Sequence, residues 1–270
     1  MRQGLIYNYS DIKYWIRNPN ILQDLMRIIL SKSTQEAVET VSSLVLEKLL
    51  SHPSFVLGLA TGRTMEPVYA QIVKEALERK KHNFERAFFF MLDEYLGIID
   101  GHPSSFKAYI QTRLLRPVGL HDSQFAYPPV HLVESGKAGE HYESLIREAG
   151  GIDLQLLGLG VNGHIGFNEP GSKVDSRTRL VELTPETREA NKSHFGDGQM
   201  PHQALSMGIG SIMDGKELLM LVTGKSKAVA VKYIMNHHDD ESCPATFLKS
   251  HPRFTLVLDP EAASKISLKI

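Results

Sequence analysis

The 270-residue sequence predicts an α/β domain built on a doubly wound, mostly parallel sheet with helices on both faces. Short apolar runs of the length of buried strands recur along the chain, and stretches with helical spacing of apolar residues lie between them. The last of these runs is expected to close the sheet. The strand-like runs are Ser54–Ala60, Arg86–Leu92, Leu154–Leu159, Leu218–Gly224 and Phe254–Asp259.

Helical segments and connections separate these runs. Ser33 or Thr34 is the expected N-cap of the first helix. Residues 121–135 are expected to be a proline-containing connection, and the polar segment 172–200 either a lid or a surface excursion. Helices are predicted at 34–50, 65–81, 104–115 and 138–149, with a compact turn and helix at 200–214.

We expect a single domain over residues 34–270, preceded by an aromatic-rich leader at residues 1–33. Ile21–Leu30, within the leader, has helical spacing of its apolar residues. Such a leader packs on its own domain or on a second subunit, and the second arrangement would make the protein a homo-oligomer.

Composition excludes several classes of protein. Hydrophobic residues make up 42% and charged residues 23%, which is typical of a globular chain. The net charge of -1 lacks the basic excess of a nucleic-acid binder, and no apolar run reaches the length of about 18 residues that spans a membrane. The single cysteine, Cys243, is typical of a reducing compartment. We therefore expect a cytoplasmic protein whose partners include neither nucleic acid nor membrane.

The candidate site centres on the loop that follows Leu154–Leu159. Five glycines lie between Gly158 and Gly171, and glycine permits positive φ angles and a close approach of a ligand to the backbone. Open α/β sheets bind ligands beyond the C-terminal ends of their strands, so this loop is either part of a binding site or an ordinary strand-to-helix connection. Its polar side chains are Asn162, His164, Asn168 and Glu169.

Two further strand ends suit an anion. Thr61–Thr64 lies between a strand and a helix, where backbone N–H groups and the helix dipole attract a phosphate. Lys225–Lys227 follows another strand and adds positive charge. Either segment could also be a plain turn, and neither has the Walker spacing of a P-loop.

The strand at Arg86–Leu92 ends in Asp93 and Glu94, and carboxylates at such a place are paired, functional or simply solvated. Because the C-terminal ends of parallel strands share one edge, Asp93 is expected to meet His164, Glu169 and the two anion-binding turns. Acid–base groups beside two anion sites indicate a phosphorylated sugar that undergoes proton transfer.

Neither a metal nor an organic cofactor is predicted. His237–Asp240 contains adjacent potential ligands but has no partner cluster in the sequence. Gly158–Gly163 fits the letters of a dinucleotide fingerprint, but His164–Pro170 does not read as the start of a helix.

Several of these motifs together resemble the glucosamine-6-phosphate deaminase/isomerase family. The resemblance runs from about residue 34 to about residue 260 and is most specific at Asn162–Gly171. It implies a Rossmann-like fold shared with 6-phosphogluconolactonases. The supporting motifs are Leu92–Tyr95, Thr61–Thr64 and Gly224–Ala228.

The resemblance also implies roles for individual residues. Asp93 would move a proton between C2 and C1 of the open-chain sugar, and His164, oriented by Glu169, would assist ring opening. Ammonia would then leave from C2 to give fructose 6-phosphate, without any cofactor. Asn162 would belong to the catalytic group. The implied phosphate and substrate contacts are Thr61, Gly62, Arg63, Thr64, Glu94, Gly163 and Lys227.

The sequence departs from the family pattern at two positions near the site. Asn162 stands where many relatives have an aspartate, and an amide can position its neighbours but cannot ionise. Ser193 stands where many deaminases have a phosphate-binding arginine in the lid segment. Lys192, His194 and Arg63 are the candidate replacements for that charge.

A third departure concerns regulation. Allosteric relatives carry a basic residue and a hydroxyl after Ser176–Arg179, whereas Val181 and Glu182 follow here. We therefore expect no activation by an acetylated amino-sugar phosphate.

Three alternatives to a glucosamine-6-phosphate deaminase stay open at this point. The motifs do not separate the galactosamine epimer from the glucosamine one. A 6-phosphogluconolactonase is disfavoured because Glu169–Gly171 and Asp93–Tyr95 match deaminases. A non-catalytic sugar-phosphate sensor is favoured only by Asn162 and Ser193.

Overall fold

The computed structural model describes residues 5–8, 26–79, 84, 86–99, 101–192, 195 and 200–266. Over these residues the strands fall into two sheets. They are β1 (Leu5–Asn8), β2 (Arg27–Leu30), β3 (Val56–Leu59), β4 (Phe88–Met91), β5 (Asp93–Tyr95), β6 (Phe125–Ala126), β7 (Leu154–Leu157), β8 (Arg179–Glu182), β9 (Gln203–Ser206), β10 (Leu218–Val222) and β11 (Phe254–Leu258).

The helices of the described chain alternate with these strands. The first helix, α1 (Thr34–Ser51), has Ser33 as its N-cap, with the side chain accepting from the Glu36 N–H at 3.1 Å. A π-helical segment, Gln111–Leu115, continues helix α3 (Phe106–Ile110). The α-helices are α1 (Thr34–Ser51), α2 (Glu66–Arg79), α3 (Phe106–Ile110), α4 (Ala138–Glu148), α5 (Pro185–Asn191), α6 (Ile209–Met213) and α7 (Ala228–Asn236).

The large sheet has the order β1-β2-β11-β10-β7-β3-β4-β6 over the described residues, and all neighbouring strands in it are parallel. Every residue of β3, β7, β10 and β11 is buried. Burial on both faces of a strand requires cover on both faces of the sheet. The predicted α/β class with a doubly wound, mostly parallel sheet is confirmed.

The large sheet reverses its direction of growth between β3 and β7. From β3 the chain adds β4 and then β6 on one side, and it then returns to place β7, β10 and β11 on the other side. Leu57 of β3 lies opposite Leu154 of β7 in the register. In open α/β sheets, such a switch point leaves a crevice at the C-terminal ends of the strands where ligands bind.

Two expectations about the large sheet are wrong. The last strand along the chain, β11, lies between β10 and β2 and does not close the sheet. The helix predicted over Ile21–Leu30 is strand β2 from Arg27 onward, while residues 21–25 lie outside the described residues. Ile28 and Ile29 are both buried, so the strand lacks the alternation that distinguishes a strand from a helix in sequence. The described parts of the leader thus contribute two strands, β1 and β2, to the large sheet.

The second sheet, with the order β5-β9-β8, is antiparallel and was not predicted. It places strand β8 and helix α5 in the segment 172–200, and strand β9 ahead of α6 in the segment 200–214. The expected connection at 121–135 likewise holds the short edge strand β6. Strands of two to four residues are too short for periodicity to identify.

The small sheet has its own apolar cluster, separate from the main core. Its buried members include Tyr95, Phe167 and Phe195. In the described parts of the chain, no helix is long and apolar enough to span a bilayer.

Candidate functional site

Four loops that carry predicted site residues follow four adjacent strands of the large sheet. The strands β10, β7, β3 and β4 are neighbours in that order. They are followed by Lys227, by the loop with His164, by Thr61 and by Asp93. Because neighbouring strands lie about 4.8 Å apart, the four strand ends span about 14 Å, which suits one small ligand. The structure therefore brings these residues to one edge, on both sides of the switch point.

A hydrogen-bonded cluster joins the polar side chains of the loop after β7. Glu169 Oε2 lies 3.4 Å from His164 Nδ1 and accepts from Asn162 Nδ2 at 2.8 Å. Asn162 Oδ1 in turn accepts from the His164 backbone N–H at 3.2 Å. Asn162 thus holds the carboxylate and the histidine backbone at once, which an amide can do without ionising.

The other oxygen of Glu169 faces helix α5. Glu169 Oε1 accepts hydrogen bonds from the hydroxyls of Thr187 and, at 3.4 Å, Thr184. Burial alone would raise the pKa of Glu169, but the close contact with His164 and the hydrogen bonds from Thr187 and Asn162 outweigh burial and lower the pKa to about 2. Glu169 is therefore a fixed negative charge at neutral pH.

Two glycines bring the backbone of this loop into close contact with His164 and Asp93. A Cβ atom at Gly160 would lie 2.4 Å from the ring of His164, so the ring rests directly on the backbone there. Gly166 has a φ of 54°, and a Cβ atom there would lie 3.4 Å from Asp93 Oδ2. The loop that carries His164 therefore lines the same crevice as Asp93.

Asp93 lies at the junction of the two sheets, after β4 ends and where β5 begins. It is only 5% exposed, and over the described residues no hydrogen bond to its carboxyl offsets this burial. Burial and, to a lesser extent, the neighbouring Glu94 raise its pKa to about 8. Asp93 is thus a carboxyl group whose proton is exchangeable near neutral pH.

Glu94 is buried rather than solvated, and its partners belong to the protein. Its carboxylate accepts from the N–H groups of Phe106 at 3.1 Å and Lys107 at 2.8 Å, and from the Ser105 hydroxyl at 3.0 Å. These donors form the N-terminus of α3, where a negative charge is favourable. The contacts favour a structural role for Glu94 over the predicted contact with substrate.

The predicted phosphate turn after β3 is open to the crevice. Thr61, Gly62 and Thr64 are half-buried, and Arg63 is exposed. Gly62 has a φ of 98°, and its carbonyl accepts from the Met65 N–H at 2.9 Å just before α2 begins. The turn therefore has the geometry of an anion cradle, with the helix N-terminus behind it.

Lys227 comes from the corresponding turn after β10. Gly224 begins this turn with a φ of 87°, and its N–H donates to the Asp259 carboxylate at 3.1 Å. Lys227 is half-buried, and burial lowers its pKa. In the part of the chain that the structure describes, Lys227 forms no ion pair, so its charge is available to an anion.

Other residues singled out in the sequence have different positions. Gly163 is buried, and its carbonyl accepts from the Ala245 N–H at 3.0 Å. Asn168 is fully buried and braces the loop, donating to the Met207 carbonyl at 2.8 Å and accepting from Arg179 at 2.9 Å. Lys192 is exposed and lies 3.8 Å from Glu189. Residues 193 and 194 are outside the described residues.

A cavity of about 540 Å³ has Glu169 in its lining. Its lining includes Ser172, Arg179 and Val181 but neither Asp93 nor His164. Across the described residues, no three His, Cys, Asp or Glu side chains come together as metal ligands would. Within the segment 237–240, the His237 ring instead stacks on Tyr233.

The sequence did not point to the threonines of α5. Thr184 is an N-cap followed by a proline, a recognisable helix start, but nothing local shows that Thr187 reaches Glu169. The sequence identifies Gly160 as one of the loop glycines, but it does not reveal the contact between Gly160 and the ring of His164.

The chain matches a family model described as glucosamine-6-phosphate isomerases/6-phosphogluconolactonase over residues 30–257. It is 45% identical over 231 residues to a glucosamine-6-phosphate deaminase of Rhodopirellula baltica, which covers 85% of this chain and 92% of that protein. The deaminase of Shewanella loihica is 41% identical over 245 residues, 90% of this chain and 91% of that protein.

Solved structures agree with this assignment. A monomeric glucosamine-6-phosphate deaminase superposes with a TM-score of 0.86 at 35% identity, over 89% of this chain and all of that one (100%). A 6-phosphogluconolactonase from Trypanosoma cruzi shares the fold, with a TM-score of 0.73 at 20% identity over 92% of this chain and 99% of that one. The family model covers most of the chain, and a relative at 45% identity is matched over 92% of its length, so the chain belongs to the glucosamine-6-phosphate isomerase/6-phosphogluconolactonase family.

Proposed function

We propose that this protein is a glucosamine-6-phosphate deaminase, which converts glucosamine 6-phosphate and water to fructose 6-phosphate and ammonia. The proposal is supported chiefly by a buried, protonatable carboxyl, Asp93, which follows β4 at the sheet edge that also carries the loop with Glu169 and His164. That loop approaches Asp93 Oδ2 at Gly166. Proton transfer between adjacent carbons needs one group that takes and returns a proton, and ring opening needs another that serves the sugar oxygens. The names of the relatives described above support the same activity.

Asp93 is the proposed base of the isomerisation. It takes the proton from C2 of the open-chain amino sugar and returns it to C1, while O1 gains a proton and the nitrogen loses one, so that the aldose becomes a ketose imine. Water then adds at C2, and ammonia leaves with the electrons of the C–N bond. A base works best with a pKa near the working pH, and a substrate ammonium group at C2 would favour the ionised form of Asp93.

His164 is the proposed acid–base group for ring opening, moving a proton between O1 and O5. Glu169 Oε2 lies 3.4 Å from His164 Nδ1, and Asn162 keeps both groups in place. Thr61–Thr64 and Lys227 are the proposed phosphate contacts on either side. The proposed catalysis needs no metal or organic cofactor.

We place the protein in the cytoplasm, as a hydrolase in N-acetylglucosamine catabolism. The single cysteine, Cys243, is free and buried, which suits a reducing compartment. A homo-oligomer stays a prediction from the leader.

The test is ammonia release by the purified protein from glucosamine 6-phosphate and from galactosamine 6-phosphate, alongside hydrolysis of 6-phosphogluconolactone. We expect ammonia and fructose 6-phosphate from the glucosamine epimer, and much less turnover of the other two compounds. Preferred turnover of the galacto epimer or of the lactone would replace the proposal with that activity. Binding without any turnover would identify a sensor.

A further inference from the structure

We propose that Thr187 is a positioning residue through which helix α5 sets the orientation of the Glu169–His164 pair. The inference rests on the proposed function, because it concerns the group that opens the sugar ring. The supporting observation is that the two oxygens of the Glu169 carboxylate contact different parts of the molecule.

Each oxygen of Glu169 has its own set of partners. Oε2 contacts Asn162 and His164 in the loop after β7, whereas Oε1 is held by the hydroxyls of Thr187 and Thr184. Thr187 is only 4% exposed, so water does not compete freely for its hydroxyl. A carboxylate that accepts hydrogen bonds on both oxygens cannot rotate without breaking a hydrogen bond on each side.

Both threonines belong to the N-terminal turn of helix α5. Thr184 is the N-cap of the helix, and its hydroxyl oxygen accepts from the Thr187 N–H at 3.2 Å. Just before it, the Leu183 N–H donates to the His202 carbonyl at 2.8 Å, which ties the start of the helix to the small sheet. The position of both hydroxyls is therefore set by the small sheet.

Glu169, by contrast, is carried by a loop of the large sheet. The contact between Thr187 and Glu169 thus joins the two sheets directly beside the catalytic histidine. If α5 is displaced, Oε1 loses its donors, the carboxylate is free to turn, and His164 loses the charge that orients it. The orientation of His164 therefore depends on whether helix α5 is in place against Glu169.

The test compares Thr187→Val, which removes the hydroxyl and keeps the shape, with Thr187→Ser, which keeps the hydroxyl. Glu186→Gln, at an exposed position of the same helix, is the control. We expect Thr187→Val to lower kcat about tenfold to 100-fold, the range for a lost hydrogen bond to a charged group, with KM nearly unchanged. Thr187→Ser should recover most of kcat, and the control should match the parent.

Hydrogen exchange of the amides of residues 186–192, measured without substrate, gives an independent readout. Exchange should be faster in Thr187→Val than in Thr187→Ser or the parent. A Thr187→Val variant with parental kcat and parental exchange would overturn the proposal, as would a serine variant that loses as much kcat as the valine variant. If the parent releases no ammonia, the proposed function fails, but the exchange data still decide whether Thr187 holds α5 to Glu169.

Discussion

The two carboxyl groups of the site, Asp93 and Glu169, lie in opposite surroundings although they face one crevice. Asp93 is buried at the junction of the two sheets, and its pKa is raised to about 8. Glu169 lies in a glycine-rich loop among several hydrogen-bond donors, and its pKa is lowered to about 2. The same functional group thus becomes a proton carrier in one place and a permanent charge in the other.

The contrast has a structural cause. Donors do lie near Asp93, but they are used elsewhere, because the Tyr142 hydroxyl donates to the Met91 carbonyl and the Tyr69 hydroxyl to the Ala60 carbonyl. Around Glu169 the hydroxyls of Thr184 and Thr187 point at the carboxylate itself. Proximity of polar groups alone therefore does not decide the charge of a buried acid; the direction of their hydrogen bonds does.

The largest expected effect is that of Asp93→Asn, which should lower the rate of catalysis strongly and stabilise the fold. Loss of the base should lower kcat about 10²–10⁴-fold, with phosphate-dependent binding retained. The folded pKa of about 8 exceeds the unfolded value of about 3.9, so the parent's stability falls as the pH rises between these values. Asparagine does not titrate, so the difference in Tm in favour of the variant should grow from about pH 5 to about pH 8. Parental turnover in the variant would show that Asp93 is not the base.

Glu169→Gln should also impair catalysis, but with the opposite effect on stability. We expect kcat to fall about 100-fold as His164 loses its charged partner. The folded pKa of about 2 lies below the unfolded value of about 4.3, so this carboxylate stabilises the fold above that pH and ceases to do so as the pH falls through about 2. The variant should therefore unfold below the parent Tm at neutral pH, with the gap closing in acid. A Glu169→Gln variant more stable than the parent at neutral pH would contradict the opposite pKa shifts of Asp93 and Glu169.

Glu94→Gln should have a smaller effect that sharpens the account of Asp93. Removing the neighbouring negative charge should lower the pKa of Asp93, and the acidic limb of the kcat/KM profile should move to lower pH. The N-terminus of α3 loses a charged acceptor, which should cost about 1–3 kcal/mol in denaturant unfolding. An acidic limb that stays in place, with the expected loss of stability, would mean that burial alone raises the pKa.

The smallest effect is expected from an acetylated amino-sugar phosphate. The cavity with Ser172 and Arg179 touches Glu169 but not Asp93, so a ligand there could act on only one of the two carboxyl groups. Val181 and Glu182 line this cavity, where the family resemblance implies a basic residue and a hydroxyl in allosteric relatives, so we expect hyperbolic rate curves that the compound does not change. A sigmoidal curve relieved by the compound would show that the cavity controls the Glu169 side.

The strands of the sheet centre could be predicted because they are continuous apolar runs, as β7 and β10 illustrate. Asp93, His164 and Glu169 could be proposed because polar residues at the ends of such strands must meet at one edge of a parallel sheet. The antiparallel sheet could not be predicted in this way, because β5 pairs with residues more than 100 positions away along the chain. Its strands are also too short to have a distinctive sequence pattern of their own.

Sequence alone was therefore sufficient for the fold class, the family and the chemical types gathered at the site, because these follow from local patterns and their order along the chain. The charge of each group was decided in three dimensions. The family resemblance places Glu94 among the substrate contacts, whereas in the structure its carboxylate accepts from N–H groups at the N-terminus of α3. The pKa of a side chain depends on the solvent and the donors around it, and for Glu169 the donors come from a helix 18 positions along the chain.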